Sequence, residues 1–299
     1  QSKFKWGVTV HNSHYGLIKD NIVYNFAGSG FMTEDGSESY NLFDHNFAVK
    51  GWSARPNRGD GCGNDNNGNR DLGCEATGLY FRGPNNYVRN NTATDIFDGG
   101  VGSDYGYRIF TFYLGNIKVP NFPGADTGVA GQYTTKNGNA MQVLEFTDNE
   151  IYGATENGMT LWWVGTFGSD INSQTPESVV KNLHIWHVYD KGIFNYPAYH
   201  ITYDGLVIRG DWSKMGGNAG YYGPDYLAYD DVIKNSDIQG MDMGFVLSSG
   251  SGGGLQTVQD TILRNKVNVS VPALWTSSVE YIDAFPVKLI LQDHQKYPK

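Results

Sequence analysis

Glu34, Asp104, Trp162 and Tyr196 are the side chains in this sequence whose types and spacing suit chemistry on a shared ligand. The first three each follow an Asn by thirteen residues (Asn21, Asn91, Asn149), and Tyr196 follows Asn182 by fourteen. The tenth residue after each of those three Asn marks is apolar (Phe31, Val101, Met159), which marks a core column, and strand alternation then turns the thirteenth outward. Two carboxylates and two aromatics are therefore expected on one outer face. Parallel strands stack at about 4.8 Å per rung, so Glu34 and Asp104 would stand about 5 Å apart on adjacent rungs, or about 10 Å with one rung between them. Glycoside hydrolases work with carboxyl pairs about 5 to 9.5 Å apart, and flat aromatic faces suit sugar rings. Arg108, four residues beyond Asp104, supplies the cation that a polysaccharide lyase would want beside its carboxylate. Exposed acids and aromatics also decorate β-surfaces that bind nothing.

A second chemically dense stretch is the polar insertion closed by Cys62 and Cys74. Within it Asp65, Asn67, Asn69 and Asp71 alternate, which sends oxygen donors to one side as calcium loops do. The sixth position is Arg70 rather than Gly, and the twelfth is not Glu, so this is not an EF-hand. Ca2+ is the cofactor such a loop would take; a solvated Asn/Gly loop is the alternative. A Cys62–Cys74 disulfide would restrain the loop by about 3 kcal/mol and fits an oxidising compartment. His11 and His14, like His184 and His187, are three apart, which on strands points the rings to opposite faces and favours packing roles over metal binding. No Gly-rich phosphate loop, C-x-x-C pair or G-x-S-x-G elbow is present.

These candidates must be held by elements that the sequence marks repeatedly. Short apolar strands close on Asn or Asp at Asn21, Asn46, Asn91, Asn149, Asn182, Asp204, Asn235 and Asn265, at spacings of 25, 45, 58, 33, 22, 31 and 30 residues. A Gly follows nine residues later in four units (Gly30, Gly100, Gly158, Gly244) and ten later in a fifth (Gly192), each opening another apolar strand. A coil of about twenty residues with variable insertions is a solenoid unit, because one coil cannot bury its apolar face until neighbours stack on it. The strands are rich in Val, Ile, Phe, Tyr and Thr, and nothing sustains a helical period. The expected fold is an all-β, right-handed parallel β-helix over residues 1–272. Asn at the corner tolerates the left-handed conformation and can hydrogen-bond from coil to coil. Residues 273–299 lose the Asn marks and alternate, as a cap or the start of a following β module would. The strand-like residues at the very start, without an initiating Met, suggest a processed or excised piece whose flanking domains are missing.

Composition narrows the partners. With 39 Gly, 20 Tyr and 18% charged residues, the chain is turn-rich and can bury a large core. Its net charge of −9 opposes nucleic acid, and also opposes an anionic polysaccharide over most of the surface unless a bound cation reverses the charge locally. No apolar run approaches the eighteen or so residues that a membrane span needs.

Residues 7–49 carry a longer pattern: His11 on a strand, the IKDN turn ending at Asn21, then Phe31, Glu34, Asp35, Gly36, Glu38 and Asn41, then the FDHN turn ending at Asn46. This pattern resembles the parallel β-helix region of the cell-migration-inducing and transmembrane hyaluronidases and of fibrocystin. It continues more loosely through Cys74, Asn85 and Asn86, and residues 146–163. The resemblance implies an extracellular or cell-surface β-helix in proteins tied to hyaluronan binding or depolymerisation. The expected function is accordingly a polysaccharide binder that also depolymerises its glycan, as hydrolase or lyase. A non-catalytic scaffold that assembles with itself or with an extracellular protein is the alternative. In that second reading the EDG motif is a structural corner, where Asp35-Gly36 turns and Glu34 or Glu38 caps backbone donors.

Overall fold

A computed structural model describes residues 5–54, 73–97, 105–111, 114–165, 176–211, 219–223, 230–247 and 256–270. These form a parallel β-helix. Three parallel sheets of nine, eight and eight strands run along it, and every strand pairs with its equivalents in neighbouring coils. The first sheet starts at Trp6–Val10, Ser29–Thr33 and Thr77–Phe81, the second at Leu17–Lys19 and Leu42–Asp44, the third at Ile22–Ala27 and Phe47–Trp52.

Most strands of the second sheet and many of the third are three residues long, and in the inner coils the middle residue alone is buried, so each coil contributes one apolar side chain per sheet to the core. In the first sheet the inward column is Val8, Phe31, Leu79, Tyr107, Met159, Ile193, Tyr221, Phe245 and Val269. Ile18, Phe43, Val88, Phe146, Val180, Tyr203, Ile233 and Val258 line the second. Along the third run Val23, Ala48, Ala93, Ile151, Ile185, Ile208, Ile238 and Leu263. Edge-to-face pairs such as Phe43–Phe81 at 5.1 Å and Tyr107–Phe146 at 5.2 Å link the columns across the interior.

The glycine signal marks a close approach of backbones. Gly7, Gly30, Gly78, Gly106, Gly158, Gly192, Gly220 and Gly244 stack, and a Cβ on any of them would lie 2.5–2.8 Å from a carbonyl oxygen of the next coil. Gly106 holds this place in the coil of Asn91, not Gly100. The extra residues before Tyr105–Phe110 were invisible to a fixed nine-residue count.

The Asn signal divides into two jobs done by adjacent residues. Asp20, His45, Asn90 and Asp148 take the left-handed corner, with φ of 53–58°, and the residue after each builds the ladder. Backbone N and Nδ2 of Asn21 donate to Oδ1 of Asn46, those of Asn46 to Asn91, and those of Asn91 to Asn149, at 2.9–3.2 Å. Beyond Asn149 the ladder place passes to Leu183, Leu206 and Ser236, while Asn182 and Asn235 themselves occupy the left-handed corner (φ 50° and 51°). Asp204 sits one residue ahead of that corner, and Asn265 belongs to the corner after the third sheet. The eight marks are therefore not one structural position.

Between Tyr105–Phe110 and Glu145–Thr147 an antiparallel hairpin, Asn116–Pro120 with Tyr133–Asn137, leaves the solenoid. Its tip returns to the first coil, where the Tyr15 hydroxyl donates to the Phe122 and Ala125 carbonyls at 3.1 and 2.9 Å. Among the described residues no helix is long and apolar enough to cross a membrane. Residues 271–299, with the proposed cap, lie outside the described residues.

Candidate functional site

Glu34 leaves the end of the strand Ser29–Thr33 and meets His11 from the preceding coil. His11 Nδ1 lies 2.9 Å from Glu34 Oε2 and 3.1 Å from Asp35 Oδ2. The ring is 65% exposed and the two carboxylates 31% and 40%, so this is a solvent-facing acid–imidazole cluster that could donate or accept a proton. Reading His11 as a packing histidine was wrong; its three-residue spacing from His14 hid the cross-coil partner. Glu38, by contrast, is fully buried. Its carboxylate accepts the backbone N–H groups of Asn12, Asp35 and Gly36 at 2.8–3.1 Å. Burial pushes its pKa up, and those donors offset the shift only in part. Glu38, two residues beyond the EDG motif, is thus the structural corner; Asp35 also accepts the Asn12 backbone N–H at 3.0 Å, while Glu34 faces His11 at the surface.

Asp104 lies outside the described residues; strand pairing places Arg82, Phe110 and Trp162 level with Glu34, because Thr33 pairs with Phe81, Phe81 with Ile109 and Phe110 with Trp162. The predicted carboxylate column is replaced by a cationic and aromatic one.

That column belongs to an outer face of aromatic character. Trp162 packs edge-on against Phe110 at 5.6 Å and Tyr196 at 5.3 Å; Phe194 stacks on Tyr196 at 5.4 Å and lies 5.8 Å from Tyr222. Trp162, Phe194, Tyr196 and Tyr222 are all half-buried. The expected juxtaposition of Trp162 with Tyr196 is present, and Phe194 and Tyr222 extend it along successive coils.

Arg108 is placed differently from the surface ligand expected of it. It is 5% exposed, its Nη1 lies 3.1 Å from Glu75 Oε1, and its guanidinium packs 4.5–5.8 Å from the rings of Phe110, Tyr105, Tyr80 and Trp162. Burial alone would weaken its charge, but Glu75, with Tyr105 and Tyr80, holds the guanidinium firmly protonated. Burial pushes the Tyr80 hydroxyl up to about 12, so it stays a neutral donor. Sequence reasoning missed Tyr80 and Glu75, because the unit that carries them, with Gly78, escaped the Asn–Gly count.

Asp65, Asn67, Asn69 and Asp71 lie outside the described residues, and no group of three His, Cys, Asp or Glu suited to a metal occurs among those described. Cys74 is buried beside Ala27 and Ala54, and Cys62 lies outside the described residues.

No solved structure matches this chain. Mouse fibrocystin-L is 30% identical over 102 residues, 34% of this chain and 2% of that protein. Human fibrocystin-L is 45% identical over 42 residues, 14% of this chain and 1% of its own length. The matched segments are therefore a very small part of these relatives. Residues 1–159, just over half of the chain, match the family described as CEMIP beta-helix, and with the parallel sheets and the Asn ladder inside that span, the chain belongs to this β-helix family.

Proposed function

We propose that this chain is a secreted or cell-surface β-helix that binds a hyaluronan-like polysaccharide along the outer face of its first sheet. The observation that carries this reading is the continuous run of half-buried rings on three successive coils, Trp162, then Phe194 and Tyr196, then Tyr222. Flat, rigid apolar faces about a strand spacing apart match the stacked faces of sugar rings. Depolymerisation would use the His11–Glu34–Asp35 cluster, the one exposed arrangement on the described surface that joins an imidazole to two carboxylates. Ca2+ held by the loop from Asp65 to Asp71 and a Cys62–Cys74 disulfide belong to the same extracellular reading. Size-exclusion analysis of hyaluronan, chondroitin, alginate and pectin incubated with the chain, with calcium and with chelator, tests it. Shortening of one polymer establishes an enzyme, and a saturated or unsaturated new end separates hydrolase from lyase; unchanged polymers remove the catalytic part.

A further inference from the structure

The acceptor pattern for N-linked sugar, Asn followed two residues later by Ser or Thr, occurs at Asn90-Asn91-Thr92 and at Asn268-Val269-Ser270. The first falls on the corner between the strands Tyr87–Arg89 and Thr92–Phe97, where the second sheet passes into the third. The second stands inside the strand Val267–Ser270 instead of at a turn. A sugar needs an amide that reaches solvent once the chain has folded, and the residues of the first pattern are sorted for that. Asn90 is exposed in the left-handed conformation, at φ 55°. Asn91 is buried in the ladder, and Thr92 is half-buried on the outward side of its strand, since Ala93 fills the inward column.

The corner column around Asn90 places few demands on its side chains. Coil by coil it holds Asp20, His45, Asn90 and Asp148, all exposed, with the His45 side chain at 74%. Carboxylates, an imidazole and an amide are thus carried at one backbone geometry, so the position points away from the coil and a larger substituent has room to project. The Asn90 backbone N–H donates to the Thr147 carbonyl at 3.2 Å, and Nδ2 donates to Asp44 Oδ1 at 2.9 Å. Nδ2 carries two hydrogens, of which Asp44 takes one. A glycosylated amide keeps one N–H, so the bond to Asp44 and a bond to sugar can coexist, and the ladder bonds of the buried Asn91 are untouched.

We propose that Asn90 is an N-glycosylation site, modified on Nδ2 as the chain enters a secretory compartment. This assignment rests on the extracellular reading above and goes beyond it by naming the modified atom. The donor is a lipid-pyrophosphate-linked oligosaccharide and the catalyst an oligosaccharide transferase. Nδ2 bonds to C1 of the first sugar, the bond from C1 to the pyrophosphate oxygen breaks with its electron pair leaving on the lipid pyrophosphate, and Nδ2 gives up one proton to a base of the transferase. Thr92 supplies the hydroxyl by which the transferase recognises the acceptor, before the strand Thr92–Phe97 has formed. After folding, the bulky, solubilising sugar stands on the corner between the second and third sheets and leaves the aromatic face of the first sheet open.

The test is to direct the full chain into the secretory pathway of a eukaryotic cell with a cleavable leader and to measure intact mass before and after a peptide N-glycanase, with peptide mapping of the modified residue. The mass should fall by one oligosaccharide in Asn268→Gln, and the sugar should map to Asn90. Thr92→Ala, which keeps Asn90 and its bond to Asp44, should lose that sugar, and Thr92→Ser should retain it. Transfer precedes folding, so a variant that is not exported is read on the cell-associated chain instead. A bare Asn90 in a chain whose leader has been removed overturns the assignment and spares the extracellular reading, as does a sugar found on Asn268 alone or one that persists at Asn90 in Thr92→Ala. A modified Asn90 there, with a bare Asn90 in the chain isolated from its own source, overturns the extracellular reading and the assignment with it.

Discussion

Replacing Asn91 by Ala should unfold the solenoid more readily than any exposed substitution on the same corner. Oδ1 of Asn91 accepts both the backbone N and Nδ2 of Asn46 at 2.9 Å, while its own Nδ2 donates to the Phe43 carbonyl at 3.0 Å and to Asn149 Oδ1 at 3.1 Å. All four bonds vanish in the variant. The Asn46 backbone N–H, in a residue 2% exposed, loses its acceptor; an orphaned buried amide costs about 1–3 kcal/mol, and the three other bonds contribute about 1 kcal/mol each. The expected loss is about 4 to 6 kcal/mol. Asn21→Ala is the matched control, because Asn21 is exposed and sits at the open end of the ladder, where its bonds compete with water; about 1 kcal/mol is expected there. Equilibrium denaturation of both variants, with hydrogen exchange to locate the opened coils, measures the difference. Equal losses within about 0.5 kcal/mol would refute the claim that the buried ladder holds these coils together.

Gly158→Ala places a Cβ 2.7 Å from both the Gly192 carbonyl oxygen and Ile185 Cγ2, so thermal melts should show a loss of about 1–3 kcal/mol from overpacking. Asp231 is fully buried and accepts from Asn195 and Tyr221 at 2.7 and 2.9 Å. Burial raises its pKa well above the usual carboxylate range. The stability held by its proton is complete below about pH 3.9, the unfolded value, and is lost as pH rises through the folded one. Asp231→Asn should therefore become progressively more stable than the native chain above pH 4 in denaturation midpoints, and parallel pH profiles would contradict this. His14, whose ring accepts from the Ser39 backbone N–H at 3.2 Å, has its pKa lowered mainly by burial, against the pull of Asp126. Its contribution is present above about pH 6.5 and lost as pH falls through the folded value, so protection factors at the Phe122–Thr127 tip, corrected for the pH dependence of intrinsic exchange, should fall on acidification.

Much of the architecture was legible because a solenoid writes its rules once per coil. Apolar strands closing on Asn were enough to give the parallel β-helix and the inward column through Phe31, Met159, Ile193 and Phe245. What failed was counting along the chain where the structure counts across it. Insertions ahead of Thr77–Phe81 and Tyr105–Phe110 shifted the register, so Gly78 was missed, Gly100 was chosen over Gly106, and Asp104 was placed beside Glu34 in the position that Phe110 fills. The cross-coil contact of His11 with Glu34 and the burial of Arg108 against Glu75 carry no periodic signal. They arise when coils stack, and only the pairing register reveals them. The aromatic pair Trp162 and Tyr196 survived because their coils contain no insertion between the corner and the strand.

The most direct test of the account is affinity electrophoresis of the native chain and Tyr196→Ala through gels containing hyaluronan, chondroitin, alginate or pectin. Retardation of the native chain by at least one polymer, lost in Tyr196→Ala with an unchanged circular dichroism spectrum, is the predicted result. Free migration of the native chain through all four gels would contradict the glycan-binding face.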